Sequence, residues 1–327
     1  MSITVAGKPV GPIGFGMISV SRKSSPDEGI ATLKAALNAG ANFWNAGEFY
    51  GTAEYNSLHL LNKYFAKYPE DADKVVVSVK GCFDMASAKA LNDEKGVRGS
   101  IENCLKILDG KCKIDVFEAA RGDPDVPIET TVGAIAEYVK AGKVGGIGLS
   151  ECSASTIRKA SAVHPITAVE VELSPFETKI LTNGVADTCR EHKIPIIAYS
   201  PLGHGFLSGE LKKFEDMAPD DYRRNFPRFK SDVFDNNIQV AHQVEQMAKT
   251  KGCSMPQVAI AWVLAQTKLV GAPVIPIPGT TKVSRLEENM NPAKLSDQDV
   301  AELSDAVAKI EVKGDRAPEA FKKYLDV

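Results

Sequence analysis

Two side chains in this 327-residue sequence have types and settings that suit proton chemistry. Tyr50 lies in the run Asn45-Ala46-Gly47-Glu48-Phe49-Tyr50-Gly51, and Lys80 follows the apolar stretch Val75-Val76-Val77-Ser78-Val79. A lysine at the mouth of an interior strand either snorkels to solvent or is held in a polar site. A loop tyrosine is by itself uninformative. Side by side, the two form a physical pair, because an ammonium favours a phenolate and lowers the tyrosine from its ordinary value of about 10. Such a tyrosine can act as a general acid toward a carbonyl near neutral pH.

The elements that must position this pair follow from periodicity. Short apolar runs at 12–17, 42–47, 75–81, 113–120, 144–150, 167–173, 195–200 and 274–278 read as strands, several of them apolar throughout, as parallel strands covered on both faces are. Between them apolar residues step by three and four: Ile30, Leu33, Leu37; Ile101, Leu105, Leu108; Val132, Ile135, Val139. Ser25-Pro26-Asp27-Glu28 and Pro127-Ile128-Glu129 are helix starts, and Gly40 and Gly142 sit where helices end. Eight strand–helix units in one chain point to a (β/α)8 barrel, an α/β fold whose reactive groups lie at the C-terminal ends of the strands. The competing reading is an open doubly wound sheet, but Gly14-x-Gly16 lacks the third glycine of a dinucleotide fingerprint. It also lacks a following helix, since Ile18-Ser19-Val20-Ser21 reads as extended. One barrel domain is expected over residues 1–327, with an enlarged loop at 203–235 and a C-terminal helix and tail at 296–327.

Composition narrows the partners. The chain is 44% hydrophobic and 25% charged, with net charge −3 and no basic stripe, which argues against nucleic acid. No apolar run approaches the ~20 residues of a membrane span. The polar start without a signal-like core indicates a cytoplasmic protein, with the nucleus as a second address. Six scattered cysteines without a Cys-x-x-Cys pair and five dispersed histidines argue against a disulfide or metal site.

Further motifs give the chain a specific resemblance. Gly14-Phe15-Gly16, the run from Asn42 to Gly51, Ser78-Val79-Lys80, Asp123-Pro124-Asp125, Gly146-Ile147-Gly148-Leu149-Ser150, Ala198-Tyr199-Ser200-Pro201-Leu202-Gly203 and Pro278-Gly279-Thr280 occur in the order found in aldo-keto reductases. The sequence resembles that family over nearly its full length. The resemblance implies a barrel that binds NADPH at the strand C-termini and reduces aldehydes or ketones through a Tyr, Lys, Asp and usually His tetrad. The tyrosine falls on Tyr50 and the lysine on Lys80. Asn45 stands at the aspartate position and Ala120 at the histidine position. The resemblance makes Tyr50, Lys80 and Asn45 the catalytic set, with Asn45 orienting Lys80. With no aspartate to neutralise Lys80, the Tyr50 pKa is expected to fall further.

The same resemblance assigns the cofactor. Ser150 and Glu170 fall on the nicotinamide amide, Tyr199 on its ring face, and Gly16 nearby. Ser200, Leu202 and Gly205 fall on the pyrophosphate loop. Gly279, Thr280, Lys282 and Arg285 fall at the 2′-phosphate, and Glu288 and Asn289 on the adenine. Two cations there favour NADPH over NADH. Trp44, Phe49 and Ala120 are candidate pocket residues. Within the family, the Asn-Ala-Gly-Glu-Phe-Tyr-Gly and Ala-Arg-x-Asp-Pro runs are similar to the fungal pyridoxal reductases. Pyridoxal carries a phenolic hydroxyl beside its aldehyde, which could replace the missing histidine as donor. Alternatives are a reductase of other aromatic or aliphatic aldehydes, or a non-catalytic NADP(H)-binding sensor or partner subunit.

Overall fold

The computed structural model describes residues 3–325. Eight strands lie on the expected segments: β1 (Phe15–Gly16), β2 (Phe43–Gly47), β3 (Val76–Gly81), β4 (Val116–Ala119), β5 (Ile147–Ser150), β6 (Ile166–Glu172), β7 (Ile196–Tyr199) and β8 (Val274–Pro276). They pair in sequence order, each parallel to the next. The Gly14 N–H donates to the Pro276 carbonyl (2.9 Å) and the Gly16 N–H to that of Pro278 (3.3 Å), which joins the last strand to the first. The fold is a (β/α)8 barrel.

Helices α1 (Pro26–Asn38), α2 (Ser57–Lys67), α3 (Glu94–Leu108), α4 (Ile128–Lys140), α5 (Ala154–Val163) and α6 (Val185–Glu191) follow the first six strands in turn. Two helices, α7 (Ser231–Lys251) and α8 (Met255–Val270), separate β7 from β8, and α9 (Val283–Asn289) and α10 (Asp297–Ala308) complete the outer ring. The start of α1 is a capping box: Ser25 accepts the Glu28 N–H while Glu28 accepts the Ser25 N–H (2.9 Å). One expectation fails locally. Ile18–Lys23 is a helical turn, not an extended segment, because Val20 is buried there and the Ser21 hydroxyl bonds back to the Met17 carbonyl. Packing overrides the β-preference of Ile18 and Val20.

Alternation along the strands builds the barrel interior in layers. The floor is apolar: Phe43, Val76, Val116, Ala168, Ile197 and Ile275, closed from below by Val5 of an N-terminal hairpin. Lys8 of that hairpin is tied to Asp115 (2.9 Å) and to the Val75 carbonyl (3.0 Å), which fixes the plug. Two residues further along each strand the interior turns polar, with Asn45, Ser78, Glu118 and Glu170. Above them stand Lys80, Ser150, Glu172 and Tyr199 at the C-terminal rim. The first residue after β3, β5 and β7 is a left-handed non-glycine: Cys82 (φ 61°), Glu151 (φ 56°) and Ser200 (φ 49°). Such strain persists where the surroundings over-determine it, often at functional rims.

The long segment after β7 folds as four short 3-10 turns before α7 begins at Ser231, so the helix takes the last residues of the expected loop. Phe176, Phe206, Phe229 and Phe234 pack beneath it with ring centroids 4.7–5.8 Å apart. After α10 the chain returns across the mouth and carries Arg316, Phe321 and Tyr324 to the rim. No helix among the described residues is long and apolar enough to cross a membrane.

Candidate active site

The barrel brings Tyr50, Lys80 and Asn45 together. Tyr50, in the loop after β2, is buried, and its hydroxyl donates to Asn45 Oδ1 at 3.4 Å. Gly47 is where the ring needs room: a Cβ there would lie 2.8 Å from the Tyr50 ring. Lys80 points into the barrel from β3 and forms an ion pair with Glu170 across the interior. Its ammonium also lies 5.4 Å from the centre of the Tyr199 ring. Asn45 Nδ2 donates to Glu170 Oε2 at 2.7 Å and to Glu118 Oε1 at 3.4 Å.

This network corrects two expectations, an unneutralised Lys80 and a lowered Tyr50 pKa. Glu170 is the centre of it, with Lys80 engaging one of its oxygens and Asn45 the other. The Tyr50 pKa is raised, not lowered: burial opposes the phenolate most, and Glu170 and Glu118 add to it, while Lys80 alone favours it. Lys80 is already neutralised by Glu170. Burial works against its ammonium, but Glu170, Tyr50 and Glu118 outweigh burial and raise its pKa. At neutral pH the site therefore holds a protonated phenol behind a fixed cation.

Trp44 is a third correction. It follows Phe43 and precedes Asn45, both interior, so alternation sends it outward into the helix layer. There it packs edge-on to Tyr64 of α2 (4.9 Å between ring centres) and donates to the Ala41 carbonyl. Phe49 does flank the site, with its ring edge-on to Tyr50 at 5.2 Å. Ala120 is buried beside Phe83 and Tyr324 in an apolar cluster that Phe49, Ala90 and Phe321 border. The Tyr324 ring lies 5.7 Å from that of Phe83, and its hydroxyl donates to the Ala88 carbonyl. Aromatic side chains thus occupy the surroundings of Ala120.

The remaining positions line the rim. Arg121 donates to the Ser150 hydroxyl at 3.4 Å and to the Ala120 carbonyl. Arg316 of the C-terminal arm donates to Glu151 (2.5 Å) and to the Tyr199 hydroxyl (3.4 Å), and lies 3.5 Å from Glu172. Burial would raise the Glu172 carboxyl, but His204, Arg228 and Arg316 pull it down to about 2. Ser200 and Leu202 lead into the turn Gly203–Ser208, in which Gly203, His204 and Gly205 are all left-handed. A Cβ on Gly205 would meet Arg223 Nη1 at 3.2 Å. Gly16 and Gly279 serve each other, since a Cβ on Gly279 would lie 2.5 Å from the Gly16 carbonyl oxygen. The Thr280 hydroxyl accepts the Lys282 N–H (3.1 Å), Lys282 and Arg285 are exposed, and Arg285 pairs with Glu210 from the loop opposite. Glu288 is half-buried, and Asn289 is buried on α9 beside Leu286.

Sequence reasoning passed over Glu118, Glu172, Phe83, Arg316, Phe321 and Tyr324. Glu118 was detectable, being an acid in the apolar run Val116-Phe117-Glu118-Ala119-Ala120. The C-terminal arm had no local signal, because its place is set by tertiary return.

The model of the aldo/keto reductase family matches residues 12–308. The chain belongs to the aldo/keto reductase family. It is 40% identical to the probable pyridoxal reductase 2 of Schizosaccharomyces pombe, over 99% of both chains. It is 35% identical to the aldo-keto reductase yakc of the same organism, whose name includes NADP(+), over 96% of this chain and 93% of that one. Among solved structures, glycerol dehydrogenase AKR11B4 from Gluconobacter oxydans superposes with a TM-score of 0.82 at 23% identity, covering 97% of this chain and 98% of that one. That likeness concerns the fold. As a member of this family the protein is an oxidoreductase acting on carbonyl compounds.

Proposed function

We propose that this aldo-keto reductase uses NADPH to reduce an aromatic aldehyde of the pyridoxal type to its alcohol. The observation that carries the reading is the aromatic cluster of Phe49, Phe83, Phe321 and Tyr324 around Ala120, which Phe49 joins to the buried Tyr50 ring. Aromatic side chains of this kind stack favourably against a flat aromatic ring. The 40% identity to a protein named a probable pyridoxal reductase supports the same substrate class.

The rim chemistry fits the cofactor. Three consecutive left-handed residues shape the turn after β7, and the Thr280 hydroxyl, Lys282 and Arg285 gather opposite it, as a dinucleotide with a 2′-phosphate requires. Arg285 is paired with exposed Glu210, and such a surface pair is worth only about 0–1 kcal/mol, so exchanging it for a phosphate costs little. Lys282→Ala and Arg285→Ala are each expected to raise KM for NADPH by about tenfold and leave KM for NADH unchanged. Initial rates with both cofactors check this.

Bound NADPH supplies the hydride. The chain supplies the rest. Tyr50 gives its hydroxyl proton to the carbonyl oxygen as negative charge develops there. Lys80 then faces the phenolate that remains and stabilises it. The aromatic wall excludes water and aligns the aldehyde ring. Because Ala120 offers no donor, the ring hydroxyl ortho to the aldehyde polarises the carbonyl from within the substrate.

Turnover of pyridoxal and of its analogue without that hydroxyl, followed by NADPH absorbance, tests the reading. The analogue is expected to react about a hundredfold more slowly, the scale for losing one donor to a developing oxyanion. Equal rates would refute the internal donor, and no oxidation with any aldehyde would refute the reductase assignment.

A further inference from the structure

The barrel interior carries one more carboxyl group than the pairing of Lys80 requires. Glu118 and Lys80 are register partners on adjacent strands β4 and β3, so their side chains share the interior face. Glu170 approaches the same ammonium from β6. Asn45 from β2 ties the two acids together, with one amide group donating to both. Beside them on β5 stands Gly148, which adds no charge, and a Cβ there would lie 3.1 Å from Glu118 Oε2. Three further titratable groups face the cluster: Tyr50, which lies against Lys80 and both acids, Tyr199, whose ring centre is 5.4 Å from the ammonium, and the buried Cys152 thiol on the Glu118 side. Glu118 and Glu170 are each about 1% exposed, so water does not screen them.

Charge counting decides what this cluster holds. Two carboxylates against one ammonium would leave a net negative charge buried over an apolar floor, and an uncompensated buried charge is strongly unfavourable. One proton on the pair makes the cluster neutral. We propose that Glu118 and Glu170 act as a single carboxyl dyad, holding one proton and one negative charge against Lys80, and thereby position the ammonium behind Tyr50. Burial and the neighbouring Glu170 push the Glu118 carboxyl well above the usual range, in the same direction.

The negative charge then has two addresses. If Glu170 loses its carboxylate, Glu118 releases its proton to solvent and pairs with Lys80 in its place. If Glu118 is replaced by Gln, a neutral group of the same shape stands where a neutral acid stood. Only loss of both leaves Lys80 without a counter-ion. The pair therefore consists of positioning residues, not groups that touch substrate. Their kinetic effect rests on Tyr50 being the proton donor, as proposed above.

A double-mutant cycle with a spectroscopic readout tests the dyad. Glu118→Gln and Glu170→Gln are each expected to slow single-turnover hydride transfer by less than about tenfold, and the double variant by about a hundredfold or more. Asn45→Asp in the double variant restores a carboxylate beside Lys80 and should recover most of the loss. Independently of activity, infrared or carbon-13 spectra of the purified protein at pH 7 should show a protonated glutamic acid signal in the wild type. Either single substitution should remove it, because the proton belongs to the pair. Additive costs, or a protonated signal that survives in either single variant, would overturn the proposal. So would a raised NADPH Kd confined to Glu170→Gln, which would make Glu170 a cofactor contact. A wild type that reduces no aldehyde would instead sink the functional reading, while the spectra would still decide the dyad.

Discussion

Tyr50→Phe is expected to slow single-turnover reduction of the aldehyde by about 10²–10⁴-fold, the range for a positioned general acid. The substitution removes one oxygen from a buried ring that keeps its edge-on contact with Phe49. Cofactor affinity and thermal stability should therefore stay close to wild type. The pH profile carries the sharper information. Because burial raises the Tyr50 pKa above its ordinary value, the phenol stays protonated through the neutral range. The rate of the hydride step should be flat across neutral pH and fall only above about pH 10, where the phenol ionises. A decline that begins near neutrality would mean that Lys80 dominates Tyr50 after all. An undiminished rate in Tyr50→Phe would remove the tyrosine from the role of donor.

That contrast marks how far the sequence reached. The eight strands were legible because each is a short apolar run between helical patterns, and the barrel followed from their number and alternation. Tyr50, Lys80 and Asn45 were legible as neighbours because strand ends in a barrel converge. The electrostatics were not. Reading Asn45 as a lost charge gave an unneutralised Lys80, whereas the missing carboxylate is supplied across the barrel by Glu170, far along the chain. Local motifs do not record which interior residues of β2, β3, β4 and β6 meet. Trp44 shows the converse error, since it was expected in the pocket while period-two alternation turns it to the helices. The C-terminal arm was read only as a tail after the last helix. Its Arg316, Phe321 and Tyr324 acquire meaning through contacts with residues from far upstream.

Lys80→Met is expected to be the most destabilising single change at the site, and its cost should depend on pH. Glu170 loses its cation while remaining about 1% exposed. Breaking a buried ion pair from one side costs about 3–5 kcal/mol when the remaining charge persists. The protein can escape part of that cost by taking a second proton onto the Glu118–Glu170 pair. The folded-state carboxyl then titrates above its unfolded value of about 4.3, so the native state binds a proton that the unfolded chain lacks. Stability of the variant must consequently fall as pH rises from about 4.3 through the raised value. Thermal melts should show Lys80→Met closest to wild type near pH 5 and progressively weaker toward pH 8. Wild type shares the sign through Glu118 alone, so the informative quantity is the widening gap between the two proteins. Lys80→Met combined with Glu170→Gln removes the stranded charge, and the gap at pH 8 should narrow. Melting curves that stay parallel across this range would mean that the ammonium is not what keeps the second carboxyl ionised.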